Sequence, residues 1–285
     1  MNKVLGMIEE NLAEARERLN TGPATPDTQP LIAKIEQWEA MKISVEGFLS
    51  WTKRHSELAK IIAENFETDP QRKVELLKIS EICAKVPANP AEHLQEAMQV
   101  EHFAGQCAAK IIERASTGYG MRVDSIYWPY YEKDVIKDKT LTREEALELF
   151  GEWRIITGAL THAAPCTRIE REFVQGVSGH MQVVTIGGVK EDGSDAFNDL
   201  TELLCEAAQL VRTPLPSYVF AYHPNVKPSA LKAALETLRQ GIAFPSFQNN
   251  ELVIDVLTRH YGATLEEARG WANVVCMSPG IIKGR

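Results

Sequence analysis

No run in this 285-residue chain approaches the roughly 18 consecutive apolar residues of a membrane helix, and Met1-Asn-Lys opens no signal peptide. Surplus basic charge is missing too: 31 Lys and Arg stand against 39 Asp and Glu, a net charge of -8. These absences argue against a membrane or nucleic-acid partner and for a cytoplasmic protein. The five cysteines, at 83, 107, 166, 205 and 276, are odd in number and lack CxxC spacing. That excludes a disulfide framework and leaves no zinc or iron-sulfur signature, so no metal is expected. No GxGxxG or Gly-Lys-Ser/Thr loop occurs, and Gly187-Gly188 is followed by an acidic turn unsuited to phosphate. What is present, 44% hydrophobic and 25% charged residues, is ordinary for a globular protein long enough to bury a sizeable core.

The pattern is helical from Met1 to about Ser116, with Leu5, Ile8, Leu12 and Ala15 on one stripe. Further helices are expected near 31–67, 70–86 and 90–115, with Asn89 capping the last of these around Pro90. Gly118 to Asp134, rich in Tyr and Trp, reads as an irregular loop packed by its own rings. Thr142 with Glu145 is a capping box, and the stretch from His162 to His180 is the least regular. His162 and Cys166 have the chemistry of metal ligands but no further partners.

From there the period changes. Gln182–Ile186, Tyr218–Tyr222 and Ile242–Phe247 read as strands. Between and after them come a helix capped by Ser194 or Asp195, one opened by Pro228 and closed by Gly241, one over Glu251–His260 ending at Gly262, and a capping box at Thr264 and Glu267. The chain is therefore divided into a helical region, 1–116, and an α/β region, 117–285. Alternation predicts a parallel sheet with helices outside and function at the carboxyl ends of its strands. His223, at a strand end, is either an acid-base group or a hydrogen-bonded structural histidine.

Val274 and Val275 read as the end of an inner strand, which Ser278, Pro279 and Gly280 then turn outward. Cys276 stands at the tip. A conventional nucleophile would need a cation, a His or a helix N-terminus beside it. The neighbours are Val275 and Met277. Such a dry setting suits a neutral thiol that gives up and takes back a hydrogen atom.

Taken with Glu81–Pro90, Trp128–Asp134, Thr185–Gly193, Pro214–Ser217 and Phe244–Asn250, this loop resembles the glycyl radical enzymes. In that superfamily a backbone glycyl radical is relayed to a loop cysteine, which attacks substrate as a thiyl radical. Members that dehydrate diols, release trimethylamine or decarboxylate arylacetates carry Cys-Val-Glu, whereas Ser278 stands at the carboxylate position here. Formate lyases place a second cysteine where Val275 stands, which disfavours acyl transfer through a thiol pair. Cys-Met-Ser-Pro-Gly is most similar to the catalytic subunits of benzylsuccinate and alkylsuccinate synthases, which add hydrocarbons to fumarate.

The resemblance implies a helical surround and a parallel half of the pyruvate formate-lyase-like ten-stranded α/β barrel. Cys276 is the implied catalytic residue, with Val275, Phe173 and Val174 against substrate. It also implies no cofactor bound in this chain, a glycyl radical installed by a radical S-adenosylmethionine activating enzyme, small accessory subunits and homodimerisation. The family's Arg-Val-x-Gly-Tyr radical segment does not occur in this sequence, so a central fragment, inactive by itself, is expected. A formate-lyase-like acyltransferase and a non-catalytic remnant or binding module are the alternatives.

Overall fold

The computed structural model describes residues 1–22, 28–105, 120–160, 183–213, 215–274 and 278–282. The chain divides into two compact units, Met1–Phe103 and Ala104–Arg285. The sequence pattern placed its boundary at 116/117, and residues 106–119 are not among those described.

The first unit is built of α1 (Asn2–Thr21), α2 (Thr28–Asn65), α3 (Pro70–Lys85) and α4 (Leu94–Glu101). The α1 stripe is buried at Ile8, Leu12 and Ala15, and Leu12 and Ala15 pack on Ile35 of α2. Asp69 starts α3 by accepting the Gln71 and Arg72 amides, with Pro70 in the first turn where its missing N–H costs nothing. Ser56 and Ser80 seam α2 to α3, each hydroxyl donating to the other's backbone carbonyl at 2.8 Å. The expected start of α4 at Asn89-Pro90 is corrected. Asn89 instead returns its backbone and side-chain N–H groups to the Lys85 carbonyl and finishes α3. The helix begins four residues later, where Glu96 reaches back to the Glu92 amide at 2.8 Å and binds Lys85.

In the second unit, Gly118–Asp134 is not a loop throughout: Val123–Tyr131 is helix α5, continued by a π-helical turn, Glu132–Lys137. Val123, Asp124, Tyr127 and Tyr131 form its buried face, and Pro129 sits on the exposed side. Helix α6 (Arg143–Leu160) starts at the expected Thr142–Glu145 box. Helix α7 (Asp199–Val211) is capped by Asn198 with Thr201, correcting the assignment to Ser194 or Asp195. Those two residues are engaged elsewhere: Ser194 donates its amide to Asp192, and Asp195 accepts the Phe197 amide. Helices α8 (Pro228–Arg239), α9 (Asn250–Tyr261) and α10 (Leu265–Arg269) follow the expected signals, with Gly262 at φ 67° closing α9 and the Thr264–Glu267 box opening α10.

Strands β1 (Val183–Gly187), β2 (Ser217–Tyr222) and β3 (Ser246–Asn249) form a parallel sheet in that order. Tyr218 and Phe220 point to one face, toward Arg154 of α6 and the Phe197 ring. Val219 and Ala221 point to the other, joining Val183, Leu257, Ala263, Ala268 and Trp271 in one core. A helical chain with a parallel sheet is thus the fold, covering part of a larger barrel. No helix among the described residues is long and apolar enough to cross a membrane.

The segment before the cysteine departs from expectation. Strand β4 is Trp271–Asn273, ending before Val274, and it pairs antiparallel with β5 (Pro279–Ile281) as a hairpin, while Val275 lies outside the described residues. Pro279 was read as a breaker, yet as the first residue of a strand its missing N–H is tolerated. Val274 lies in the bend, donates its amide to the Ser278 carbonyl at 2.9 Å, and lays a methyl over Gly280, where an added Cβ would meet it at 2.5 Å.

Candidate functional site

The hairpin is anchored by a buried charged pair. Arg122, immediately before α5, donates to the carbonyls of Val189 at 3.0 Å and Arg269 at 2.9 Å, and to that of Gly187. One guanidinium therefore gathers the carboxyl end of β1 and the residue two before β4. Asp124, fully buried, accepts the Gly187 amide at 2.6 Å and the Thr201 hydroxyl at 2.7 Å. Burial pushes the Asp124 carboxyl above its ordinary range, opposed by Arg122 and these donors, and burial also lowers the Arg122 guanidinium. Gly187 and Gly188 are both at positive φ, 75° and 79°, and a Cβ on Gly187 would strike the Phe197 ring.

From this root the chain runs back along β1. The Arg269 and Gly187 carbonyls accept from the two terminal nitrogens of the Arg122 guanidinium, whereas the Asn273 amide bonds the Thr185 hydroxyl oxygen, 2.9 Å away and mid-strand. Strand β4 therefore runs opposite to β1, from the carboxyl end of the sheet toward its middle. Trp271, buried in the core, donates its indole N–H to Asn250 at 2.9 Å. Asn273 is 0% exposed, and neither its carboxamide nitrogen nor its oxygen has a partner among the described residues. Gly120 closes on this point, with the Asn273 carbonyl 3.1 Å from where a Cβ would stand.

A cavity of about 640 Å³ opens at the hairpin root, lined by Arg122, Ile126, Val189, Ala196, Gly270 and Ile282 among others. His223 is 4% exposed and bonds Asp195 through Nε2 at 3.1 Å, the hydrogen-bonded strand-end arrangement. Cys83 and Cys205 are buried, and burial pushes their thiols up to about 11 and about 12, which keeps them protonated and inert.

Cys276 and Val275 lie outside the described residues, as do Phe173, Val174, His162 and Cys166. The described residues place Val274 and Ser278 on either side of the cysteine segment. Arg122, Asp124, Thr185 and Asn273 were not singled out from sequence. Charged and amide side chains default to the surface, and no local pattern marks these four as buried.

The family model described as pyruvate formate lyase-like matches residues 5–285. Isethionate sulfite-lyase of Nitratidesulfovibrio vulgaris is 35% identical over 239 residues, covering 84% of this chain and 28% of that protein. The 4-hydroxyphenylacetate decarboxylase glycyl radical subunit of Clostridioides difficile is 30% identical over 290 residues, covering 98% and 30% respectively. Among solved structures, a glycyl radical enzyme from Archaeoglobus fulgidus superposes with a TM-score of 0.82 at 26% identity, over 96% of this chain and 34% of that one. The B12-independent glycerol dehydratase of Clostridium butyricum gives 0.79 at 29% identity, over 96% and 33%. The chain thus spans 28% to 30% of the length of the two curated relatives. With residues 5–285 matched by the family model, this chain belongs to the pyruvate formate lyase-like family, within the glycyl radical enzyme superfamily.

Proposed function

We propose that this chain is part of a cytoplasmic glycyl radical lyase that adds a hydrocarbon, toluene-like or alkane, to fumarate and gives a substituted succinate. The observation that carries this reading is Cys276-Met-Ser-Pro-Gly280, with Ser278 where a proton-handling carboxylate would be and apolar residues on both sides of the thiol. Hydrocarbon addition transfers hydrogen atoms and no protons, so it needs no carboxylate at that position.

The glycyl radical, installed by a radical S-adenosylmethionine activating enzyme, supplies the unpaired electron. The Cys276 thiyl takes a hydrogen atom from a methyl or methylene group, forming S–H and a carbon radical. That radical adds to the double bond of fumarate and forms the carbon-carbon bond. The product radical recovers the hydrogen from the thiol and leaves the thiyl ready again. The protein contributes positioning and exclusion of water. Val275, Phe173 and Val174 would line the hydrocarbon side, and small accessory subunits and a second copy of the chain would be partners.

A second reading, a lyase that cleaves a small hydroxylated substrate, is favoured by the 35% identity to isethionate sulfite-lyase. The two separate on product. The activated enzyme, given fumarate with toluene or an alkane, is expected to form a succinate adduct. Cys276→Ser should keep a normal glycyl radical signal by electron paramagnetic resonance and form no adduct, because an O–H bond is much stronger than S–H. Adduct at the wild-type rate in the serine variant would remove Cys276 from the reaction. Sulfite release from isethionate with no adduct from any hydrocarbon would favour the second reading.

A further inference from the structure

Two fully buried polar side chains at the cysteine hairpin, Asn273 and Thr185, adjoin, and both keep uncommitted groups. The Asn273 carboxamide is fully buried with nitrogen and oxygen both unpartnered. Thr185, also fully buried, accepts the Asn273 backbone amide at 2.9 Å, which leaves its hydroxyl proton uncommitted among the described residues. Around them, Trp271 is matched to Asn250, Arg122 donates to three carbonyls and keeps Nε unpaired, and Asp124 accepts from Gly187 and Thr201 through one oxygen and keeps the other unpaired. A fully buried carboxamide with neither atom paired among the described residues is costly, and that cost points to a polar guest. The unmet groups are chiefly donors: two N–H on Asn273 and one O–H on Thr185.

We infer that Asn273 and Thr185 form a substrate-binding cradle for one carboxylate of an unsaturated dicarboxylic acid, an inference that rests on the fumarate-adding reading. The cradle is neutral by construction. Neither residue titrates, so a carboxylate can be gripped in a dry site without placing an exchangeable acidic proton beside a radical. Position agrees with the role. Asn273 is three residues before Cys276, at most about 10 Å of extended chain, so a molecule held there lies within reach of a radical formed on the hydrocarbon.

The test is steady-state kinetics of the activated enzyme with each substrate varied in turn, beside thermal melts of the unactivated enzyme with and without fumarate. Asn273→Asp sets a carboxylate against a carboxylate at unchanged size. It should raise KM for fumarate about tenfold or more, leave KM for the hydrocarbon within about twofold, leave the glycyl radical signal intact, and abolish the fumarate-induced rise in melting temperature. Fumaramic acid, the monoamide, should recover much of the loss in Asn273→Asp, because its N–H groups donate to the new carboxylate. A purely structural asparagine would give no such rescue. Should Asn273→Asp lose the radical signal, Thr185→Val, which removes the hydroxyl at nearly constant volume, decides the matter by the same KM comparison.

Equal changes in both KM values, no rescue by the monoamide, or an unchanged fumarate KM would overturn the cradle even if adduct is formed. Fumarate that stabilises wild type but not Asn273→Asp, in an enzyme that makes no adduct from any hydrocarbon, would sink the proposed reaction and leave the cradle standing.

Discussion

The two compact units bury polar side chains in different ways. In Met1–Phe103 the buried hydroxyls turn back on helix carbonyls: Ser56 and Ser80 exchange bonds at 2.8 Å, and Thr52 donates to Leu49 at 3.0 Å. No buried side-chain nitrogen or oxygen of that unit's described residues lacks a partner. In Ala104–Arg285 two guanidiniums, Arg122 and Arg154, and two carboxyls, Asp124 and Asp134, are taken inside, and among the described residues Arg122 Nε, Arg154 Nε, Asp124 Oδ1 and both Asn273 amide atoms go unpaired. A helix pair satisfies its own backbone and needs only a seam. Where a sheet ends and a hairpin turns back along it, carbonyls and amides from three segments meet with no ladder to join them, and buried charges do that work.

If this contrast is sound, deletions in the second unit should cost several times more than deletions in the first. The largest effect is expected at Asp124. Asp124→Ala strands the Gly187 amide, the Thr201 hydroxyl and the Arg122 charge, and should destabilise by about 3–5 kcal/mol in denaturant titration. Asp124→Asn keeps an acceptor and should cost less at neutral pH. The sign of its pH dependence follows from burial, which holds the folded carboxyl above its ordinary 3.8. An acid with a raised folded pKa contributes fully below the unfolded value, and its contribution falls as pH rises through the folded value. The stability gap between wild type and Asp124→Asn should therefore shrink as pH rises from about 4 toward neutrality. A gap that widens would mean that Arg122 and the two donors outweigh burial.

A smaller effect is expected at the helical seam. Ser56→Ala removes one hydroxyl, while Ser80 can still donate to the Ser56 carbonyl. A loss of about 1 kcal/mol is expected, the net worth of one hydrogen bond. A loss equal to that of Asp124→Ala would erase the distinction between the units.

The same contrast explains what could be read in advance. The strands near Thr185 and Phe220, the boxes Thr142–Glu145 and Thr264–Glu267, and the stops at Gly241 and Gly262 were legible because each is a local signal with a local mechanism. Helix α5 was hidden because Pro129 reads locally as a helix breaker, whereas the burial of Val123, Asp124, Tyr127 and Tyr131 that offsets its cost is tertiary information. Asn198 lost the capping role on paper to Ser194 and Asp195, whose true partners, Asp192 and His223, include one 28 residues away. The hairpin was missed because Pro279 at a strand start looks like Pro279 in a turn. Most of the site geometry rests on such distant contacts: Arg122 reaches Arg269 across 147 residues. Cys276 is proposed on its flanking residues alone, and it lies outside the described residues.

The smallest effect should fall on the exposed ion pairs of the first unit, and it tests whether the contrast concerns burial or merely charge. Arg16 and Glu39 approach to 2.6 Å, closer than many functional pairs, yet their side chains remain 55% and 44% exposed. Water solvates both partners when they separate, and holding two long side chains together costs rotamer entropy that offsets the attraction. Arg16→Gln should therefore shift the melting temperature by no more than about 2 °C. Raising salt should shrink that shift further, because an exposed pair is screened whereas Asp124 is not. If Arg16→Gln proved as damaging as Asp124→Ala, and equally insensitive to salt, charge and not burial would be what distinguishes the two units.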